Sequence, residues 1–229
     1  MSDIDYLIIG AGVSGLALGG DLQAAGKQVV LVDKGRILGG RCTTKNLPSG
    51  TLVDYGAQFF TAKGERFVAW TDSWLNEGDS DLAIWNHGIP VYSNGAIQKR
   101  ESGHPRYAPK SGMNVLPQRL ARELHVRTST TITSLQKIAD GWRVEGHTYP
   151  GEIPVSFRAK NICLTIPPEQ LVSLAGEYFS EEACESLEAV AYDPAWTVIA
   201  PLAHDIQHDF PALEFKDHLL LNWISRDHT

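Results

Sequence analysis

Basic runs are absent from this chain: 20 lysines and arginines stand against 27 aspartates and glutamates, and the formal net charge is -7. A chain with that balance and no cationic stripe is not expected to hold nucleic acid or to dock on an anionic membrane. Cysteine is scarce. The three residues, Cys42, Cys163 and Cys184, form neither a CxxC pair nor a metal-ligand spacing, which argues against a disulfide framework and a zinc site and for a reducing, cytoplasmic setting. No apolar run is long enough to cross a bilayer. The opening Met1-Ser2-Asp3-Ile4-Asp5 carries acids and no basic n-region, so a signal peptide is not expected. A Walker lysine and a GxSxG elbow are missing. His204 and His208 have the spacing of a metal pair on a helix, but Pro201 and Pro211 bracket a segment unsuited to one, and no glutamate is placed as in HExxH, so no metal is expected. Internal repeats and low-complexity tracts are also missing.

What remains is an ordinary globular composition. The chain has 229 residues, of which 43% are hydrophobic and 21% charged, enough for one large domain or two small interleaved ones. Tyr6-Leu7-Ile8-Ile9 is a continuous apolar run of the kind a strand needs when both faces are buried in a parallel sheet. Ser14 to Ala25 reads as a helix closed by Gly26. Val29 to Val32 is a second buried strand ending at Asp33, which completes a βαβ unit. Residues 50 to 62 are extended and interrupted by glycine. Phe67, Trp70 and Trp74 then recur at helical spacing and predict an amphipathic helix over Glu65 to Asn76.

Residues 81 to 108 suggest short strands and turns. A helix is expected after Asn114, with Pro117 in its first turn and Leu116, Leu120 and Leu124 as a stripe. Short β runs follow at Thr131 to Gln136, Trp142 to Glu145 and Val155 to Ala159, the first two joined by a hairpin at Asp140-Gly141. Ile162 to Thr165 reads as a separate buried strand stopped by Pro167-Pro168. Ser180 followed by Glu181 and Glu182 caps a further helix. Trp196 to Leu202 and Leu219 to Ile224 look like strands.

The chemistry-bearing motif is Gly10-Ala11-Gly12-Val13-Ser14-Gly15, a GxGxxG that follows a predicted strand and opens a predicted helix. Gly10 permits the tight turn, Gly12 lets a diphosphate approach the backbone, and Gly15 allows close helix–sheet packing. The first helical turn, with Val13 and Ser14, offers N–H groups and a partial positive charge to phosphate oxygens. Asp33, with Lys34 beside it, ends the second strand where an acid accepts from an adenosine ribose 2′-OH and disfavours a 2′-phosphate. A βαβ unit alone does not choose between NAD and FAD. Gly39-Gly40-Arg41 turns the choice toward FAD: two more glycines give backbone approach, and an arginine pairs with phosphate or with the negative charge of a reduced flavin.

GxGxxG, an acid ending the second strand and then Gly-Gly-Arg together resemble the flavin-containing amine oxidase superfamily. Within it, Asp54-Tyr55-Gly56-Ala57-Gln58-Phe59-Phe60-Thr61, Arg106-Tyr107-Ala108 with Gly112-Met113, Trp142, and Tyr192-Asp193-Pro194-Ala195-Trp196 look like the renalase branch. The resemblance implies non-covalently bound FAD and oxidation of a small reduced molecule, with the hydride passing to flavin and then to dioxygen to give hydrogen peroxide. In that branch the substrates are misreduced isomers of NAD(P)H; in the wider superfamily they are amines. By position, it implies that the backbone of Ile132 meets the adenine and that Gly56, Ala57 and Gln58 lie near the isoalloxazine.

Members of this group run longer, and their C-terminal part brings a Gly-Asp segment and a helix N-terminus to the ribityl chain and flavin ring. This sequence stops after Asn222 to Thr229, so a fragment, a truncated product or one part of a split protein is expected. Of the aromatic residues Phe59, Phe60, Trp70, Trp74, Trp196 and Trp223, most are assigned to core. Phe59 and Trp196 are assigned to the substrate pocket on the resemblance. No acid–base pair is evident, and none is required where the cofactor carries the difficult step.

The expected fold is α/β. A discontinuous Rossmann-like FAD-binding domain with a parallel sheet and a β-meander spans 1–62 and 105–166, and an interleaved α+β substrate domain spans 63–104 and 167–229. Two alternatives stay open, a flavin amine oxidase or desaturase-like relative, and a non-catalytic dinucleotide-binding module or inactive fragment.

Overall fold

The structure is a computed structural model that describes residues 4–100, 103–202, 204, 208 and 210–226. Its strands are β1 (Ile4–Ile9), β2 (Val29–Val32), β3 (Thr44–Asn46), β4 (Leu52–Asp54), β5 (Leu82–Asn86), β6 (Val91–Ser93) and β7 (Ala96–Gln98). They continue with β8 (Arg106–Pro109), β9 (His125–Arg127), β10 (Thr130–Ile138), β11 (Gly141–Thr148), β12 (Ile153–Leu164), β13 (Ala212–Phe215) and β14 (Trp223–Ser225). The helices are α1 (Val13–Ala24), α2 (Glu65–Leu75), α3 (Val115–Leu120), α4 (Pro168–Ala175) and α5 (Glu181–Glu188). The chain packs as two units, Met1–Cys42 with Leu116–Trp196, and Thr43–Val115 with Thr197–Thr229.

The first unit is built on a six-stranded sheet in the order β10-β11-β12-β1-β2-β9. β12, β1, β2 and β9 run parallel, while β10, β11 and β12 form an antiparallel meander. The apolar run of β1 is buried on both faces, as its sequence requires. Leu7 and Ile9, with Val32, face a cluster that includes Leu135, Val144 and Phe157 of the meander and Ala175 of α4. Ile8, with Val29 and Leu31, faces Leu16 of α1, and Leu120 and Leu124 pack against the same cluster. The alternation along the strands therefore supplies two cores from one sheet, the pattern of a Rossmann-like α/β domain.

Several expectations are corrected here. Val155 to Ala159 and Ile162 to Leu164 belong to one strand, β12, whose first part pairs with β11 and whose last part pairs with β1, and Thr165 follows its end. The polar Lys160 and Asn161 suggest a break in the sequence, yet both are exposed and tie the strand to Asp5: Lys160 Nζ lies 2.7 Å from Asp5 Oδ1, and Asn161 Nδ2 donates to Asp5 O at 3.1 Å. α3 ends at Leu120, because the chain after it must turn and enter β9. Trp196 to Leu202 has no regular structure, and Trp196, Val198 and Leu202 are 97%, 87% and 60% exposed. A strand needs a neighbour to take its backbone hydrogen bonds, and no strand pairing involves this run among the described residues. β14 covers only the end of the expected Leu219 to Ile224 strand, and its partner β13 was not expected.

The second unit combines hairpin β3–β4, antiparallel pair β5–β8 and a four-stranded sheet in the order β14-β13-β6-β7. α2 carries the aromatic face its spacing predicts. Trp74 is 2% exposed and stacks on Phe60 at 6.5 Å, Phe60 lies 5.6 Å from Tyr107, and Trp70 meets Trp74 edge-on at 5.4 Å. Trp74 is thus a core residue, with the half-buried Phe60 and Trp70 packed against it.

Asp54, 2% exposed, ends β4 inside this unit. Its carboxylate accepts from Met113 N at 3.0 Å and from the Thr44 hydroxyl. Thr44 Oγ1 in turn accepts from Asn114 N at 3.1 Å. A buried carboxylate needs such donors, so Asp54 fastens the β3–β4 hairpin to the Gly112-Met113 segment.

Candidate functional site

The glycine turn sits at the carboxyl end of β1, between β12 on one side and β2 on the other. In an open α/β sheet this is where the strand order reverses and a crevice opens for ligands. Gly10 has φ +111°, a conformation L side chains rarely adopt. A Cβ on Gly15 would stand 2.0 Å from Gly10 O, which leaves no room for a side chain where α1 crosses the turn. A Cβ on Gly12 would meet nothing within 4 Å, so the space beside it is open. Gly12 is also the N-cap of α1. No side chain caps that helix end, and its first turn carries no acid. No described side chain therefore caps the orphan N–H groups at the positive end of this helix dipole. Val13 is half-buried and Ser14 exposed in that turn.

Gly39 and Gly40 lie directly on the first turn. Gly39 N donates to Ala11 O at 2.9 Å, Gly39 pairs with Gly12 as an isolated parallel bridge, and a Cβ on Gly40 would lie 3.6 Å from Gly12 Cα. Both have positive φ, +107° and +57°. A Cβ on Gly39 would stand 2.5 Å from Pro117 Cγ. The two glycine segments thus form one turn, with Gly39 packed inside it and Gly12 and Gly40 on its open side. Arg41 is exposed beside it, with its guanidinium 5.9 Å from the ring centre of Tyr192.

Asp33 braces this turn. Its Oδ2 accepts from Ala11 N and its Oδ1 from Gly35 N, each at 2.6 Å. Each carboxylate oxygen keeps a further lone pair, so the group that holds the turn retains capacity for a hydroxyl ligand. Lys34 is exposed. Ile132 lies in β10 beside a register shift and is partly buried against the first core cluster. Asp33 O and Gly35 O accept from Thr130 N and Ser129 N at 2.8 Å, which ties the start of β10 to the end of β2.

Sequence reasoning missed Thr165. Its Oγ1 donates to Gly10 O at 2.9 Å, and a Cβ on Gly15 would come 2.7 Å from Thr165 Oγ1. The only local signal was its place at the end of a buried strand.

Gly56, Ala57, Gln58 and Phe59 belong to the second unit. Gly56 is exposed, and Ala57 and Gln58 are half-buried. Gln58 Oε1 accepts from Trp223 Nε1 at 2.6 Å and from Ser225 Oγ at 2.8 Å. Phe59 stacks on Trp85 at 5.6 Å and lies 6.1 Å from Trp223. Trp196, the last residue of the first unit, is 97% exposed.

Of the cysteines, Cys42 is buried, and burial pushes the Cys163 thiol above its ordinary value. His204 and His208 stand among residues only partly described, and no group of metal-ligating side chains occurs among the described residues. No helix among the described residues is long and apolar enough to cross a membrane.

Residues 8–73 match the family described as NAD(P)-binding Rossmann-like domain. The chain is 35% identical over 68 residues to an L-amino acid dehydrogenase of Synechocystis sp., covering 30% of this chain and 14% of that protein. It is 36% identical over 91 residues to FAD-dependent oxidoreductase dbaF of Emericella nidulans, covering 39% of this chain and 19% of that one. The chain therefore spans less than a fifth of either relative.

Among solved structures, wild-type putrescine oxidase bound to putrescine superposes with a TM-score of 0.57 at 14% identity, covering 76% of this chain and 60% of that one. A flavoprotein/dehydrogenase from Cytophaga hutchinsonii gives 0.51 at 13% identity, covering 76% and 42%. These likenesses establish the fold: a Rossmann-like α/β domain of the kind found in flavin oxidoreductase structures.

Proposed function

We propose that the chain is part of an FAD-dependent oxidoreductase whose first unit binds the ADP portion of the cofactor. One observation carries this reading: the open space beside Gly12 and the exposed Gly40 at the uncapped N-terminus of α1, with Gly39 packed behind them. A dinucleotide diphosphate fits the chemistry of that donor set, since bare N–H groups and a helix dipole favour a compact anion. In this reading Val13 and Ser14 present N–H groups to phosphate, and Asp33 orients the adenosine ribose. Ile132 faces the adenine, and Lys34 and Arg41 add positive charge. Gly56, Ala57 and Gln58 are proposed as isoalloxazine neighbours, and Phe59 and Trp196 as pocket residues, on the resemblance alone. When bound, FAD supplies two-electron chemistry; the protein's part is to bind, orient and exclude water.

The finer reading is renalase-like: a misreduced dihydronicotinamide dinucleotide as hydride donor, and dioxygen as the acceptor that leaves as hydrogen peroxide. It rests on the resemblance of residues 54–61, 106–108 and 192–196. The test is flavin content and its bleaching. Purified protein should be yellow or become so on titration with FAD, and anaerobic addition of misreduced NADH isomers should bleach the flavin bands. A protein that takes up no flavin would sink the cofactor assignment. Bleaching by simple amines alone would replace the renalase-like substrate with an amine.

A further inference from the structure

The second unit contains a cleft of about 240 Å³ lined by Thr61, Lys63, His87, Arg100, His104 and Arg106, together with two glycines. Three permanent cations and two histidines thus converge in a chain whose net charge is -7, and no carboxylate is among the described lining residues. Arg100 Nη1 makes a loose ion pair with Glu214 Oε2 at 3.9 Å. Like charges gathered with no carboxylate among the described lining residues repel one another and create a local field that favours an anion.

The cleft is built rather than incidental. A Cβ on Gly88 would stand 2.1 Å from Arg100 O, and one on Gly103 would stand 2.5 Å from His87 O. Gly88 and Arg100, and Gly103 and His87, approach this closely only because glycine occupies both positions. Asn86 Oδ1 accepts from His87 N at 2.7 Å and Gly88 N at 3.1 Å, which fixes the turn at the rim.

Arg106 is held in place from two sides. Its Nη1 donates to His87 O at 3.1 Å, and its guanidinium lies 5.4 Å from the ring centre of Phe59. Its Nε is buried and has no acceptor among the described residues. A buried charged donor without a partner is unfavourable and calls for a ligand or another explanation.

We propose that this cleft is a phosphoanion subsite that holds the phosphate or diphosphate of a phosphorylated substrate. The inference rests on the oxidoreductase reading above and narrows its substrate class. Planar guanidinium groups suit phosphate oxygens, and several point charges favour a polyanion over a monocarboxylate. The volume falls below that of pockets enclosing a whole small molecule, typically about 300 Å³ or more, so the cleft takes an anionic group of a larger ligand.

The experiment uses the full chain at low salt and measures binding of inorganic diphosphate by calorimetry. Three proteins are compared: wild type, Gly12→Val, and the double variant Lys63→Gln/Arg100→Gln, whose exposed side chains leave the packing intact. Saturable binding that survives Gly12→Val and weakens roughly tenfold or more in the double variant is the expected result. Arg106→Gln should weaken it likewise if that variant folds. Binding unchanged in the double variant, or lost in Gly12→Val alone, would overturn the proposal, as would succinate binding as tightly as diphosphate. Flavin uptake is measured on the same samples. A wild type that takes up no FAD yet binds diphosphate in the cleft would refute the cofactor reading and leave the subsite standing.

Discussion

At the scale of single residues, Gly12 and Gly15 separate two roles that the motif presents together. Gly15 is required for packing, since its Cβ would stand 2.0 Å from Gly10 O, whereas Gly12 borders open space. Gly15→Ala should therefore destabilise the FAD-free protein by about 3 kcal/mol through overpacking. Gly12→Val should cost about 1 kcal/mol as a poorer N-cap yet abolish flavin retention. Urea unfolding and flavin absorbance of both variants check this; flavin retention in Gly12→Val at wild-type level would remove the diphosphate role.

Asp5 offers a second residue-scale test. The Lys160 ammonium hydrogen-bonded to it, and then the Gln28 N–H, hold its carboxyl below its ordinary value of 3.8. Because the folded value is lower than the unfolded one, the contribution is present at neutral pH and is lost as pH falls from 3.8 through the folded value. Lys160→Met should move the Asp5 titration, followed by NMR, back up toward 3.8. These roles differ in how well the sequence shows them. Gly15 is legible from spacing alone. Thr165, which braces the same turn from 155 residues away, is not, because only the register of β12 against β1 brings it there.

At the scale of elements, helices with local signals are read well. α5 begins where Ser180 caps it, and the Ser180 side chain accepts from Ala183 N at 3.3 Å. Ser180→Ala should lower stability by about 1 kcal/mol, read as a shift in the urea midpoint. α2 follows its aromatic spacing in the same way. Strands are read less well. The polar Lys160-Asn161 pair disguises the continuity of β12, and the apolar Trp196–Leu202 run imitates a strand that has no pairing partner among the described residues. A strand is defined by a neighbour, and the neighbour is not written in the strand.

Asp54 shows the same dependence between elements, because its partner Met113 lies 59 residues away. Asp54→Ala should cost about 2–3 kcal/mol by stranding a buried N–H, with thermal unfolding as the readout. A change of under about 0.5 kcal/mol, the range of an ordinary surface substitution, would contradict the role given to Asp54.

At the scale of the whole molecule, ligand linkage tests the first unit without any activity assay. FAD at a hundredfold excess over its Kd should add about 2.7 kcal/mol to stability, and Gly12→Val should show no such gain. The sequence by itself determined the strand–turn–helix–strand core of the first unit, because strand, glycine turn, helix and terminal acid all fall within 33 consecutive residues and each obeys a local rule of period or backbone freedom. Only the tertiary structure decided that Gly39 and Gly40 rest on Gly12, that Asp33 spends hydrogen bonds on the turn it was expected to serve, and that Lys63, His87, Arg100, His104 and Arg106 share one cleft. Those meetings depend on strand register and on close backbone approaches between distant segments, and no residue pattern along the chain records which distant partner a side chain will meet.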